Sequence, residues 1–308
     1  IADDIAGNGD GLLQRGERAT MYLTVKNVGK GRSYETQANL ANRSGDGVLL
    51  RKGRFDISDM RPGDVRQVAF TFDVEQQLKE DEVVLSLSVG DRDLRAYASE
   101  KLRIPVAEAV AVKAKEGTAT AKTDTPLFGD AKGKRAPFGQ LKKGTPVRVT
   151  GTVGDFTRVK LVDERQGFVA TAALEDGGNA SEGARFATVF SHAPPTLNVR
   201  ASEMATTADK ASVIVDAHDT EKLLDVYSFL GSHKVYHPSH KNGSDPRKAS
   251  FTFDAPLQPG VNLITVVARE TPDTTTRRVV VVRRDGPDGS ILKTPKHEEE
   301  FLLDAVAE

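Results

Sequence analysis

The chain is expected to be all-β, and three observations say so. Apolar residues alternate with polar ones over short runs, as at Met21, Leu23 and Val25, at Val68, Phe70 and Phe72, and at Val147 and Val149. That period of two is the signature of half-buried strands. Turn residues punctuate the runs: Asn27-Val28-Gly29, Arg61-Pro62-Gly63-Asp64, Gly144-Thr145, Gly154-Asp155 and Asp163-Glu164. The runs are also short and regularly spaced, as packed antiparallel sheets require.

The first region, residues 1–107, opens with the glycine-rich stretch DDIAGNGDGLLQRGE. Strands are expected at 19–27, 36–42, 65–74, 83–89 and 94–106, and together they predict a β-sandwich of immunoglobulin type. Residues 107–116 (AEAVAVKAKE) suit either a short helix or a linker strand. Short strands separated by turns continue over 108–176, with the clearest pattern between Gly139 and Val169. A polar, glycine-rich linker follows at 175–183. The third region, 184–285, offers strands at 196–199, 211–217, 223–230, 234–236, 249–253, 262–269 and 277–283, which predicts a second sandwich of the same type. Residues 286–308 are a charged tail.

Composition removes several function classes. The 308 residues suit two or three domains. The balance of 38% hydrophobic and 28% charged residues is that of a globular chain. A net charge of −1 gives no pull toward nucleic acid or anionic membrane. With no cysteine there is no disulfide, thiol catalysis or thiolate metal site. No apolar run approaches the roughly 20 residues of a membrane span. The chain begins at Ile1 without a signal-peptide pattern, so it is expected to be a mature product or a fragment of a longer protein.

Three resemblances refine the fold. The order Gly16-Glu17, strand, Asn27-Val28-Gly29, strand, Pro62-Gly63, strand resembles bacterial immunoglobulin-like domains found beside extracellular peptidases and adhesins. In the middle region Leu141, Gly144, Val147, Val149, Gly151, Gly154, Phe156, Val159, Gly167, Phe168 and Val169 resemble a bacterial SH3-type barrel. That family usually carries tryptophan where Phe156 and Phe168 stand. The resemblance marks these two as candidate ligand contacts, but neither can donate the indole N–H that sugar and peptide ligands often use. Third, PPTLNV, DVYSFLGSHKVYH, LQPGVNLITVVARE and RRVVVVRRDGPDG resemble the β-domains that follow the catalytic domain in myxobacterial-type carboxyl-terminal processing (tail-specific) serine peptidases. The PDZ and Ser–Lys peptidase domains of that family have no counterpart here, so no catalytic residue carries over.

Among constellations, the acidic N-terminal loop is the best metal candidate. Asp4, Asn8, Asp10 and Glu17, with Asp3 beside them, supply hard oxygens of the kind calcium takes, and Gly7, Gly9 and Gly11 let the loop fold tightly. The EF-hand spacing is not matched, and a solvated turn is the competing reading. His233, His237 and His240 cluster in SHKVYHPSH, but Pro238 disfavours the helix that an i, i+4 metal pair needs. Ser99 and Lys122 echo a Ser–Lys dyad only by proximity in sequence, and such a dyad needs hydrogen-bond contact. Lys132–Arg135 with Lys142-Lys143 is expected to be a solvated basic face.

The resemblances imply a non-catalytic accessory region of an extracytoplasmic tail-specific serine peptidase, positioning protein or peptide substrates. The alternative is a protein that binds peptidoglycan or surface glycan without a peptidase partner.

Overall fold

The structure, a computed structural model, describes residues 7–180, 182–190, 192–237 and 245–295. Among them it is all-β. The strands are β1 (Arg18–Lys26), β2 (Ser33–Asn42), β3 (Val48–Lys52), β4 (Arg54–Met60), β5 (Val65–Val74), β6 (Glu82–Asp91) and β7 (Ala96–Pro105) in the N-terminal unit. The middle unit holds β8 (Gly117–Ala121), β9 (Thr125–Leu127), β10 (Gly139–Leu141), β11 (Pro146–Val153), β12 (Phe156–Lys160), β13 (Gln166–Ala170), β14 (Leu174–Asp176) and β15 (Ala187–Thr188). The C-terminal unit holds β16 (Thr196–Ala201), β17 (Ala205–Thr206), β18 (Lys210–His218), β19 (Asp225–Leu230), β20 (His233–Tyr236), β21 (Lys248–Pro256), β22 (Gly260–Arg269) and β23 (Thr274–Arg284).

Alternation in sequence becomes two-layer packing. In the N-terminal unit a sheet ordered β1-β5-β3 faces a layer ordered β4-β2-β6-β7. Met21, Phe70, Phe72, Leu40, Met60, Val83 and Leu85 fill the space between them. Phe70 and Phe72 are fully buried; removing rings of this size from water is worth about 2–3 kcal/mol each. The C-terminal unit repeats the plan: β16-β18-β21 faces β20-β19-β22-β23, around Val213, Val215, Phe253, Ile264 and Val266.

The two-layer units are not separate. The free edge of β23 pairs antiparallel with that of β7, from Thr274 opposite Glu100 to Arg278 opposite Ala96. One nine-stranded sheet, which includes β17 beside β23, therefore runs through both units. Pairing two exposed edges satisfies N–H and C=O groups that would otherwise invite aggregation.

The middle unit is a five-stranded sheet, β13-β12-β11-β8-β14, closed by a three-stranded one, β15-β10-β9. Its core is small: Leu127, Leu141, Val147, Val159, Leu161 and Val169. The β12–β13 hairpin turns at Asp163 and Glu164, both at positive φ (58° and 55°), as a tight turn matching strand twist demands.

Some local expectations are corrected. The strand expected at 94–106 is present as β7 but starts two residues later: residues 92–95 turn the β6–β7 hairpin, with Arg95 at φ 47°. A turn followed by a left-handed residue is a standard hairpin closure. β3 and β4 were not expected, because Gly53 and the charges around it mask the alternation. The 107–116 stretch is neither helix nor strand, and Lys113 bridges to Thr152 of the middle unit.

Candidate functional site

The N-terminal loop is a hydrogen-bonded knot. Asp4 and Asp3 lie outside the described residues, while Asn8, Asp10 and Glu17 come together. Asp10 is fully buried. Its carboxylate accepts from the Leu12 N–H at 2.8 Å, the Val110 N–H at 2.7 Å, Gln14 Nε2 at 3.2 Å and Asn8 Nδ2 at 3.2 Å. Glu17 accepts from the Gln14 N–H at 2.9 Å. Asn8 Oδ1 caps the Asp10 N–H at 2.8 Å, an Asx turn. A calcium ion at Asp10 would have to take the carboxylate from these N–H donors. Gly11, at φ +73°, is required for a steric reason too: a Cβ there would sit 2.1 Å from the Gly129 carbonyl oxygen. The loop thus pins the N-terminal unit to the middle unit, and Arg158 Nη1 adds a bond to the Gly9 carbonyl at 3.0 Å.

A second pin is Arg165, only 7% exposed. Its guanidinium lies over Tyr22 of β1 at 4.3 Å, and over Phe138 and Phe186 at 5.0 Å each. A weakly hydrated planar cation is the side chain best suited to such a desolvated aromatic cage. Nothing in the sequence pattern singled it out, because its partners come from three distant segments.

The two phenylalanines singled out in the middle unit differ in burial. Phe168 is 2% exposed, in a satellite core with Val153 and Ala131. Phe156 is half-buried and meets Phe128 edge-to-face at 5.8 Å. The burial of Phe168 leaves it no ring face for a ligand.

The remaining sequence candidates are not assembled. Ser99 Oγ shares a hydrogen bond with Thr275 Oγ1 at 2.8 Å, across the β7–β23 seam. Lys122 Nζ, in the middle unit, donates to the Ala172 carbonyl at 3.0 Å. The two occupy different units and form no dyad. His233 is exposed at the start of β20, and His240 lies outside the described residues. Among the described residues no group of three or more histidine, aspartate or glutamate side chains is arranged to hold a metal ion. Lys142 pairs with Asp124 at 2.8 Å and Arg135 lies 3.9 Å from Asp130, so the basic face is partly neutralised.

The feature best placed to meet another molecule is the outer face of the shared sheet. Directly paired residues point to the same face. The registers therefore place Tyr227, Val267, Arg277, Tyr97, Gly90, Gln37 and Asp56 in one row across six strand pairings. Tyr97 lies flat enough on Gly90 that a Cβ there would approach its ring to 2.4 Å. Arg277 stacks over Tyr97 at 4.8 Å, and Arg269 and Lys234 lie over Tyr227 at 5.2 and 4.9 Å. Beside this row a cleft of about 300 Å³ opens at the seam. Leu263, Val279 and Tyr97 give it an apolar lining, and Glu35, Arg92, Asp93 and Arg95 a charged one. Below it, on the inner face, Asp91 is held well below the usual carboxylate range: burial works the other way but is outweighed by the Leu94 N–H, Ser33, Thr36 and the Glu35 N–H. That network fixes the hairpin forming the cleft wall.

Comparison with protein-family models, with curated proteins and with solved structures finds no match for this chain.

Proposed function

We propose that the chain is a non-catalytic binding platform: an accessory region of an extracytoplasmic tail-specific serine peptidase that positions protein or peptide substrates. The observation that carries this reading is the seam. It joins two units into one wide face with aromatic and cationic side chains and a cleft of mixed charge, features suited to an extended polypeptide. The sequence resemblance supplies the link to a peptidase and to an extracytoplasmic setting. The names immunoglobulin-like and SH3-type for the units belong to the same proposal.

The test is photocrosslinking from position 97. A benzophenone amino acid replaces Tyr97, with exposed Leu49 as control, and the probe is a reduced, carboxymethylated protein. Adducts from position 97 and not 49 support the platform. Equal yields, or adducts only with purified peptidoglycan, overturn it in favour of non-specific contact or of glycan binding. Labelling of the chain by a fluorophosphonate, lost in Ser99→Ala, would overturn the non-catalytic reading. The peptidase link is tested by reading the coding sequence upstream of Ile1 for a PDZ and a Ser–Lys domain.

A further inference from the structure

We propose that Glu100, His192 and Glu270 form a proton-dependent clasp that fastens the segment between the barrel and the C-terminal unit against the β7–β23 seam. The three groups come from three parts of the chain. Glu100 lies on the inner face of β7, paired with Thr274. Glu270 follows β22, in the turn leading to β23. His192 lies on the connection from β15 to β16. Its Nε2 is 3.6 Å from Glu100 Oε1 and 3.5 Å from Glu270 Oε2. The Glu270 side chain is 7% exposed, and its Oε2 has no hydrogen-bond partner.

Proton counting makes the cluster pH-dependent. Nε2 carries at most one proton, so it can satisfy one carboxylate at a time. The second carboxylate must keep its own proton or stand bare beside the first. No lysine or arginine forms an ion pair with Glu100 or Glu270 among the described residues. The other charges facing the site repel: Asp219, 2% exposed with Oδ2 lacking a hydrogen-bond partner, and Glu221. The nearby Asp273 leans toward Arg103, 3.8 Å away. Burial pushes the carboxyl groups of Glu100 and Glu270 upward, His192 opposes it, and for Glu270 the charges of Asp219, Glu221 and Glu100 add to the rise. A carboxyl raised by folding binds more protons folded than unfolded. Its contribution is complete below the ordinary glutamate value, about 4.3, and is lost as pH climbs through the raised value. The clasp therefore holds in acid and loosens as pH climbs through the raised carboxyl values.

Hydrogen–deuterium exchange of the whole chain tests it, read at the segment around His192 and corrected for the intrinsic pH dependence of exchange. Wild type should lose protection there at least tenfold between pH 5 and pH 8, while the β1–β5 pairing stays protected. Glu100→Gln with Glu270→Gln, which mimics permanently protonated acids, should flatten the change. If that variant fails to fold, His192→Gln replaces it and should lose the protection at pH 5. Wild-type protection independent of pH, an unchanged pH profile in the variant that folds, or protection at pH 8 that appears only with added zinc would overturn the clasp.

Discussion

Replacing Asp10 with alanine is expected to be the most damaging single truncation in the N-terminal loop. The substitution orphans two main-chain donors, the Leu12 and Val110 N–H groups, which now bond to the carboxylate at 2.8 and 2.7 Å. It also strips Gln14 of its acceptor. A buried donor left without a partner costs about 1–3 kcal/mol, and bonds to charged acceptors lie at the upper end. Taking the two N–H groups together, and allowing for partial rehydration at Val110, the loss is roughly 3–5 kcal/mol. Val110 belongs to the connection leading into the middle unit, so the damage should also uncouple the first two units. Urea unfolding followed by circular dichroism should show one coupled transition for these units in wild type and two in Asp10→Ala. Because N–H donors surround the carboxylate, chelator treatment should leave the wild-type curve unchanged. A loss under about 1 kcal/mol would refute the knot. A wild type destabilised by chelator and restored by millimolar calcium, but not magnesium, would show that an ion holds the loop.

Three further outcomes follow from the packing. Arg165→Ala should cost about 2 kcal/mol or more, the scale of a desolvated cation–π contact, and should speed proteolysis between the middle unit and the N-terminal unit. Phe168→Ala should cost roughly 3–5 kcal/mol as a core truncation without altering sedimentation with peptidoglycan sacculi, whereas a wild type that binds sacculi and loses this on Phe156→Ala with the fold intact would make the middle unit a glycan site. Asp225 is held below the usual aspartate range by hydrogen bonds from Arg269, with burial opposing; its contribution is present above about pH 3.9 and lost as pH falls through the lower folded value, so Asp225→Asn should make the acid limb of the stability curve shallower.

The sequence by itself determined the all-β class and most of the strands. Val65–Val74 was legible to the residue, because Val68, Phe70 and Phe72 alternate without interruption and Pro62-Gly63 marks where the strand begins. The strand ends elsewhere moved by a few residues, since polar termini such as Thr274 and Lys248 pair as well as apolar ones but leave no pattern. β3 and β4 escaped because short outer strands bury few side chains and need little alternation.

What only the tertiary structure decided is how these strands meet. A free edge on β7 and a free edge on β23 look alike in sequence to any other pair of edges, because backbone hydrogen bonding carries no side-chain signature. Their pairing creates the wide outer face, the cleft lined by Arg95 and the approach of Glu100 and Glu270 to His192. The burial of Arg165 and Phe168 was likewise decided only in three dimensions. A cation becomes an aromatic lock, and a ring becomes core, only when segments far apart in sequence exclude water around them.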